Sequence, residues 1–177
     1  MGRLKKFKLS TVLKVLVTFI CILGLMGMMF YFSSQSGYES HRLSKSIARY
    51  VRDLSPLLTE FKQSDLGKDI AFEQLLRKGA HFVEYFILAA LVCVLLLHLK
   101  IREGRARMAA VIVCTAYSFF DELHQGFIQG RTSLLTDIFI DISGSIAAVL
   151  FIRYFIRKKK TSTRQDSIKQ AVNAGKG

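Results

Sequence analysis

Proline occurs once in 177 residues, tryptophan not at all, and cysteine three times. So little proline excludes a collagen-like or proline-rich chain, and three cysteines do not build the disulfide framework of a small secreted scaffold. Acids are scarce as well: 13 Asp+Glu stand against 26 Lys+Arg, for a formal net charge of +13. A disordered basic chain is disfavoured because 51% of the residues are apolar. A soluble globule is disfavoured because it would spread those residues in amphipathic patterns rather than in blocks. No stripe of bases interleaved with aromatics marks a nucleic-acid surface, so no nucleic-acid partner is expected.

What is present is a set of apolar runs of membrane length. Val15 to Phe32 is 18 residues without a charge, and a bilayer core of roughly 30 Å needs about 20 helical residues. Phe82 to Leu99 is a second run, with Glu84 as its only acid and His98 near its end. Met108 to Phe120 is short alone, but continued to Phe127 it reaches across and takes Asp121, Glu122 and His124 with it. Thr136 to Ile156 is the fourth run, with Asp137 and Asp141 near one end and Arg153 placed to snorkel at the other. The expected fold is an all-α integral membrane protein, an up-down bundle of four transmembrane helices spanning about 12–32, 82–99, 108–127 and 136–156. Cys21, Cys93 and Cys114 all fall inside these spans and act there as small apolar residues.

Basic residues flank the runs on one side, at Arg3 to Lys8, Lys100 to Arg107 and Arg157 to Lys160. By the positive-inside rule both termini and the second-to-third connection of this multi-pass chain are cytoplasmic. The excess of bases also suits anionic lipid headgroups. Ser34-Gln35-Ser36 after the first run resembles a signal-peptide cleavage site, but 18 apolar residues exceed the apolar region of about 7 to 15 in such a signal, so the first helix is read as retained.

In the long external segment, Leu43, Ile47, Tyr50, Val51 and Leu54 share a helical face while Arg42, Lys45, Arg49 and Arg52 turn away, an amphipathic helix closed by Pro56. Lys62 to Gly67 reads as a loop, and Ile70 to Ala80 leads helically into the second span. Residues 1–160 form one membrane domain, and 161–177, rich in Ser, Thr, Gln, Asn and Gly, a disordered cytoplasmic tail.

The ionisable residues within the spans carry the functional signal, since a charge in hydrocarbon must face a partner or a wet cavity. At about 1.5 Å per residue from the cytoplasmic ends, Glu84, Asp121 and Asp141 lie roughly 24, 20 and 24 Å up their helices, one layer in the outer third of the bilayer. Arg77, His81, Glu84 and Tyr85 share a face by helical spacing, and Asp137 with Asp141 and Asp121 with Gln125 are i, i+4 pairs. Arg77, Lys78 and Arg131 supply positive partners, so buried charge pairs and a site for an anionic headgroup are both open. Such a layer also ties helices together without any ligand. Ser143, Gly144, Ala147 and Ala148 form small-xxx-small pairs that read as helix contact, whereas Gly126 to Gly130 lies outside an apolar run and is not read as a dimer motif.

The same residues resemble a known family. Phe32-Ser33-Ser34-Gln35-Ser36-Gly37, Arg77-Lys78-Gly79-Ala80-His81-Phe82-Val83-Glu84-Tyr85, Asp121-Glu122-Leu123-His124-Gln125-Gly126-Phe127, Gly130-Arg131 and Asp137-x-x-x-Asp141-x-x-Gly144 are similar to the spaced polar motifs of the VanZ-like family over about residues 30–150. Members often carry proline before the Gly-Arg pair, where this chain has Gln129. The resemblance implies a small bacterial plasma-membrane protein of the cell envelope, and the founding member is linked to resistance to the glycopeptide teicoplanin.

Two activities follow for the layer. In the first, Arg77, Lys78 and Arg131 hold phosphate or carboxylate groups of a lipid-linked envelope precursor, another anionic lipid or an amphiphilic drug, with Gln35, Ser36, Tyr85 and Gln125 as further binding residues. In the second, His81, Glu84, Asp121, Glu122, Asp137 and Asp141, joined by His124 as a possible metal ligand, serve acid-base or metal-dependent cleavage or transfer at a phosphate or glycosyl bond of a lipid. No H-E-x-x-H run or glycine-rich phosphate loop supports the second. A proton-coupled transporter is disfavoured by the lack of acids near the midplane and of inverted repeats.

Overall fold

The computed structural model describes residues 9–54, 66–131 and 135–174. They form five α-helices: α1 (Leu9–Ser33), α2 (Gly37–Leu54), α3 (Leu66–His98), α4 (Glu103–Gln125) and α5 (Leu135–Ala174). No strand occurs among the described residues. Three helices are long and apolar enough to cross a membrane, at Leu9–Ser33, Phe72–His98 and Leu135–Gln165. α4, with charges at Glu103, Arg105, Arg107, Asp121 and Glu122, is not among them.

Side-chain pairs fix the helix directions. Arg77 meets Asp137 and His81 meets Asp141, so α3 and α5 run the same way. At the far end Lys160 of α5 pairs with Glu103 at the start of α4, which makes α4 antiparallel to both. α1 runs alongside α4: the Tyr117 hydroxyl donates to the Met26 carbonyl at 2.8 Å, and the Phe30 ring stacks on His124 with centroids 4.7 Å apart. α3 is the hub, in contact with all four other helices, and its most extensive interface is with α5.

Small residues make that interface close. A Cβ on Gly144 would stand 2.3 Å from the Phe82 carbonyl oxygen, so only glycine lets the two backbones meet. Ala89, Cys93 and Ala148 are fully buried in the same core, with Ala106, Ala110 and Cys114 from α4. Of the four small residues expected to make helix contact, Gly144 and Ala148 are buried, Ala147 is half-buried, and Ser143 faces outward with its hydroxyl on the Ile140 carbonyl.

Several element bounds differ from the sequence expectation. α3 begins at Leu66, a turn before the helical lead-in expected from Ile70, so Leu66 and Gly67 are helical rather than loop; as expected, the ionisable motif at Arg77 sits in the helix that continues into the second apolar run. Arg105 and Arg107 lie in the first turns of α4 rather than in a connection. Instead, Leu99–Arg102 makes the turn, with the Ile101 N–H on the Leu96 carbonyl and the Lys100 N–H on that of Leu97. This is the six-to-one and five-to-two pairing that closes a helix, and it holds Lys100 at φ 61.

The expected disordered tail is also corrected: α5 continues through Ala174. Between residues 145 and 174 the sequence has neither glycine nor proline, and Thr161, Thr163 and Ser167 satisfy their hydroxyls on carbonyls four residues back instead of competing for the backbone. Residues 175–177 lie outside the described residues, as do Pro56 and residues 62–65 of the expected loop.

α2 is helical where a helix was expected, and its more buried positions are mostly small residues. Ala48 is buried, and Ser40, Ser44 and Val51 are half-buried, while Leu43, Ile47 and Tyr50 stay exposed. The side chains of Arg52 and Leu54 lie outside the described residues. The N-terminus of α2 is anchored on the α4–α5 turn: the Gly37 N–H donates to the Gln129 carbonyl at 3.1 Å. A Cβ on Gly37 would fall 1.9 Å from the Gly130 carbonyl oxygen, and Gly130 itself has φ +75.

Candidate functional site

The polar residues gather at the end of the bundle that carries α2. Deepest is a chain of buried groups across three helices. Asp141 is 1% exposed and accepts a hydrogen bond from the Ser118 hydroxyl at 2.6 Å through Oδ2. Its Oδ1 lies 3.3 Å from His81 Nδ1, an ion-pair distance without hydrogen-bond alignment. One turn toward the α2 end, Asp137 Oδ2 lies 3.6 Å from the Arg77 guanidinium. Burying these carboxylates is costly unless each has a partner, and α3 and α4 supply the partners because helical spacing stacks Arg77 on His81 and opens Ser118 toward α5.

In front of this chain is a groove of about 590 Å³ between α1, α2 and α3. Arg77, His81, Glu84, Asp121, Gln125 and Arg131 line it together with Gln35. Leu43 and Ile47 of α2 and Leu75, Leu76 and Val83 of α3 add apolar surface to the same lining. A second cavity of about 290 Å³ lies next to it, lined by His41, Glu73, Gln74 and Gly130, and shares Ser40, Ser44, Arg77, Gln125 and Arg131 with the groove. These shared residues are therefore a wall with a cavity on either side.

Arg131 is the centre of the wall. Its Nη2 donates to the Phe32 carbonyl at 2.9 Å and to the Ser40 hydroxyl at 2.8 Å, tying the α4–α5 turn to α1 and α2. Burial, and next the nearby Arg77 guanidinium, lower its pKa, while Asp121 and Glu122 act the other way. Below it, Gln125 donates to Asp121 Oδ2 at 2.9 Å, which leaves Asp121 Oδ1 buried with no hydrogen-bond partner. At the rim, His41 Nδ1 and Glu73 Oε1 are 2.6 Å apart and join α2 to α3.

The residues expected to act together divide into three groups. Gln35, Arg77, His81, Glu84, Asp121, Gln125 and Arg131 meet at the groove. Asp137, Asp141, Glu122 and Tyr85 are buried and do not line it. Of the three acids placed at one depth, Glu84 and Asp121 thus reach the groove and Asp141 supports it from behind. Tyr85 does not share the face of Arg77, His81 and Glu84 in the groove; its ring turns toward Tyr117, at 6.3 Å between centroids.

Lys78 is half-buried and lines neither cavity. Ser36 is also corrected as a groove residue. Its hydroxyl bonds Glu39 Oε2 at 3.1 Å and accepts the Glu39 N–H at 3.3 Å, so it caps α2. The Ser-x-x-Glu spacing was the signal for that role. Ser118, Ser40 and the His41–Glu73 pair were not anticipated, because each gains its role only from a partner on another helix. Among the described residues, no group of three or more His, Cys, Asp or Glu side chains is arranged to hold a metal ion.

A profile of the VanZ/LLP1 family matches residues 18–157. The chain belongs to the VanZ/LLP1 family. No curated protein and no solved structure matches it. The VanZ/LLP1 match covers α2, α3, α4 and the site at the α2 end in full, and leaves out the C-terminal turns of α5.

Proposed function

We infer that this VanZ/LLP1 protein is a four-span protein of the bacterial plasma membrane with both termini cytoplasmic. Its groove binds an anionic amphiphile of the cell envelope, either a lipid-linked component or an acylated glycopeptide of the teicoplanin kind. The fourth pass is α4. It starts beside Lys160 and ends beside the wall at Arg131, so it covers the same height as the two apolar helices it joins. Residues 1–160 act as one membrane domain, with the groove in the outer leaflet.

The observation that carries the binding reading is the mixed lining of the groove. Aliphatic side chains and two guanidinium groups line the same space, which matches a molecule with a hydrocarbon end and an anionic end. The exposed flanks of α1, α3 and α5 face the acyl chains. The test is displacement of a fluorescent anionic lipid from purified protein in neutral detergent. Arg77→Ala is expected to weaken binding about tenfold, the loss of one charge-assisted contact. Unchanged affinity counts against the reading.

One observation favours a second reading. His81 is oriented by a buried Asp141 and faces the groove one turn from Glu84, an arrangement suited to acid-base attack on a phosphate or glycosyl bond. Glu84→Gln separates the two readings: lost turnover of a bound lipid with retained affinity supports an enzyme, and unchanged chemistry supports binding alone.

A further inference from the structure

The groove and the smaller cavity share one wall, and the charges along that wall are unevenly placed. Arg77 and Arg131 face both cavities. Arg77 comes from α3 and Arg131 from the turn after α4, and the Arg77 guanidinium is near enough to lower the pKa of Arg131. Arg131 spends its hydrogen bonds on uncharged acceptors, the Phe32 carbonyl and Ser40, while Arg77 faces Asp137 at 3.6 Å. One anion shared by the two guanidinium groups adds a charge-assisted contact to each. On the groove side lies the opposite need. Asp121 is 4% exposed and lines the groove, and its Oδ1 has no hydrogen-bond partner, although Gln125 occupies Oδ2. A buried carboxylate oxygen in that state favours a donor from a ligand.

Resting on the binding reading above, we propose that the ligand is a membrane lipid whose head joins a phosphate to a hydroxyl or ammonium donor. The phosphate sits against Arg77 and Arg131 at the shared wall. The donor reaches Asp121, and the acyl chain lies along Leu43, Leu75 and Val83. The carboxylates of Glu84 and Asp121 repel phosphate from the deeper end, which fixes the orientation of the head. The donor requirement goes beyond charge: a lipid with phosphate but no donor leaves the Asp121 oxygen buried and unmet.

The experiment measures displacement of a fluorescent phosphatidylglycerol from the purified full chain. The competitors are phosphatidylglycerol, phosphatidylethanolamine, phosphatidylcholine of equal chain length, and chain-free glycerol phosphate. The first two are expected to compete about tenfold better than phosphatidylcholine, the loss of one hydrogen bond to a charged group. Glycerol phosphate, lacking the chain, is expected to compete far more weakly.

Asp121→Asn is expected to erase the preference over phosphatidylcholine. Equal competition by phosphatidylcholine in the unaltered protein, or a preference that survives Asp121→Asn, overturns the proposal and leaves the amphiphile reading standing. Competition by glycerol phosphate as strong as by the lipids overturns the lipid source. Displacement by none of the lipids overturns both. Should Asp121→Asn fail to fold, Leu75→Trp, at a position 66% exposed, narrows the groove from outside. It is expected to weaken all lipids alike, and unchanged lipid binding overturns the placement of the chain.

Discussion

The seam between α3 and α5 and the groove between α3 and α2 use the same helix and differ in how they fill space. At the seam a glycine brings one backbone against the Phe82 carbonyl, and alanine, cysteine and serine complete the contact. At the groove, leucine and isoleucine side chains of α2 and α3 line a space of about 590 Å³. In lipid, large apolar side chains gain little by leaving hydrocarbon for a protein neighbour, so close packing of small residues is what joins helices. Large residues left beside a cavity are then a surface to be filled rather than a core. The comparison teaches that one face of α3 holds the fold and the other is held open by it.

The contrast is broken most severely by Gly144→Val. The obstacle is a main-chain carbonyl, which has no rotamer to yield, so a loss of about 3 kcal/mol is expected. It is read as a lowered unfolding temperature in detergent, and a variant that melts with the unaltered protein would show the seam to be loose. Asp141→Ala comes next. It leaves the Ser118 hydroxyl and His81 without their carboxylate, and about 2 kcal/mol is expected from stranding those groups. Since Asp141 does not line the groove, lipid affinity measured below the new melting point should fall less than for Arg77→Ala; an equal or greater fall would move Asp141 into the binding surface.

Ser36→Ala has the smallest effect, about 1 kcal/mol from the lost helix cap. It should appear as faster amide exchange confined to the first turns of α2, with α3 and α5 unchanged. Exchange that rises in α3 as well would mean that α2 and the seam are not independent.

Much of this was legible from the sequence, and the exceptions have physical causes. Uncharged runs marked α1 and the apolar part of α3, and spaced acids and bases marked the site, because both signals depend on composition along one helix. Leu43 and Ile47 of the expected apolar face of α2 both line the groove, whereas the burial of Ser40, Ser44 and Ala48 was not legible, because small residues carry little hydropathy signal. The full length of α5 was underestimated, since a hydropathy run ends where charges begin and a helix does not. The division of the acids into groove and support was hidden because it is set by neighbours on other helices. Glu84 and Tyr85 are adjacent in sequence, yet only Glu84 reaches the groove.

The backbone contact of Gly37 with Gly130 leaves no room for even a methyl group between them. Any side chain at position 37 would therefore prise the start of α2 away from the loop whose Arg131 grips Phe32 and Ser40, and the groove would lose its corner before a single lining residue had changed.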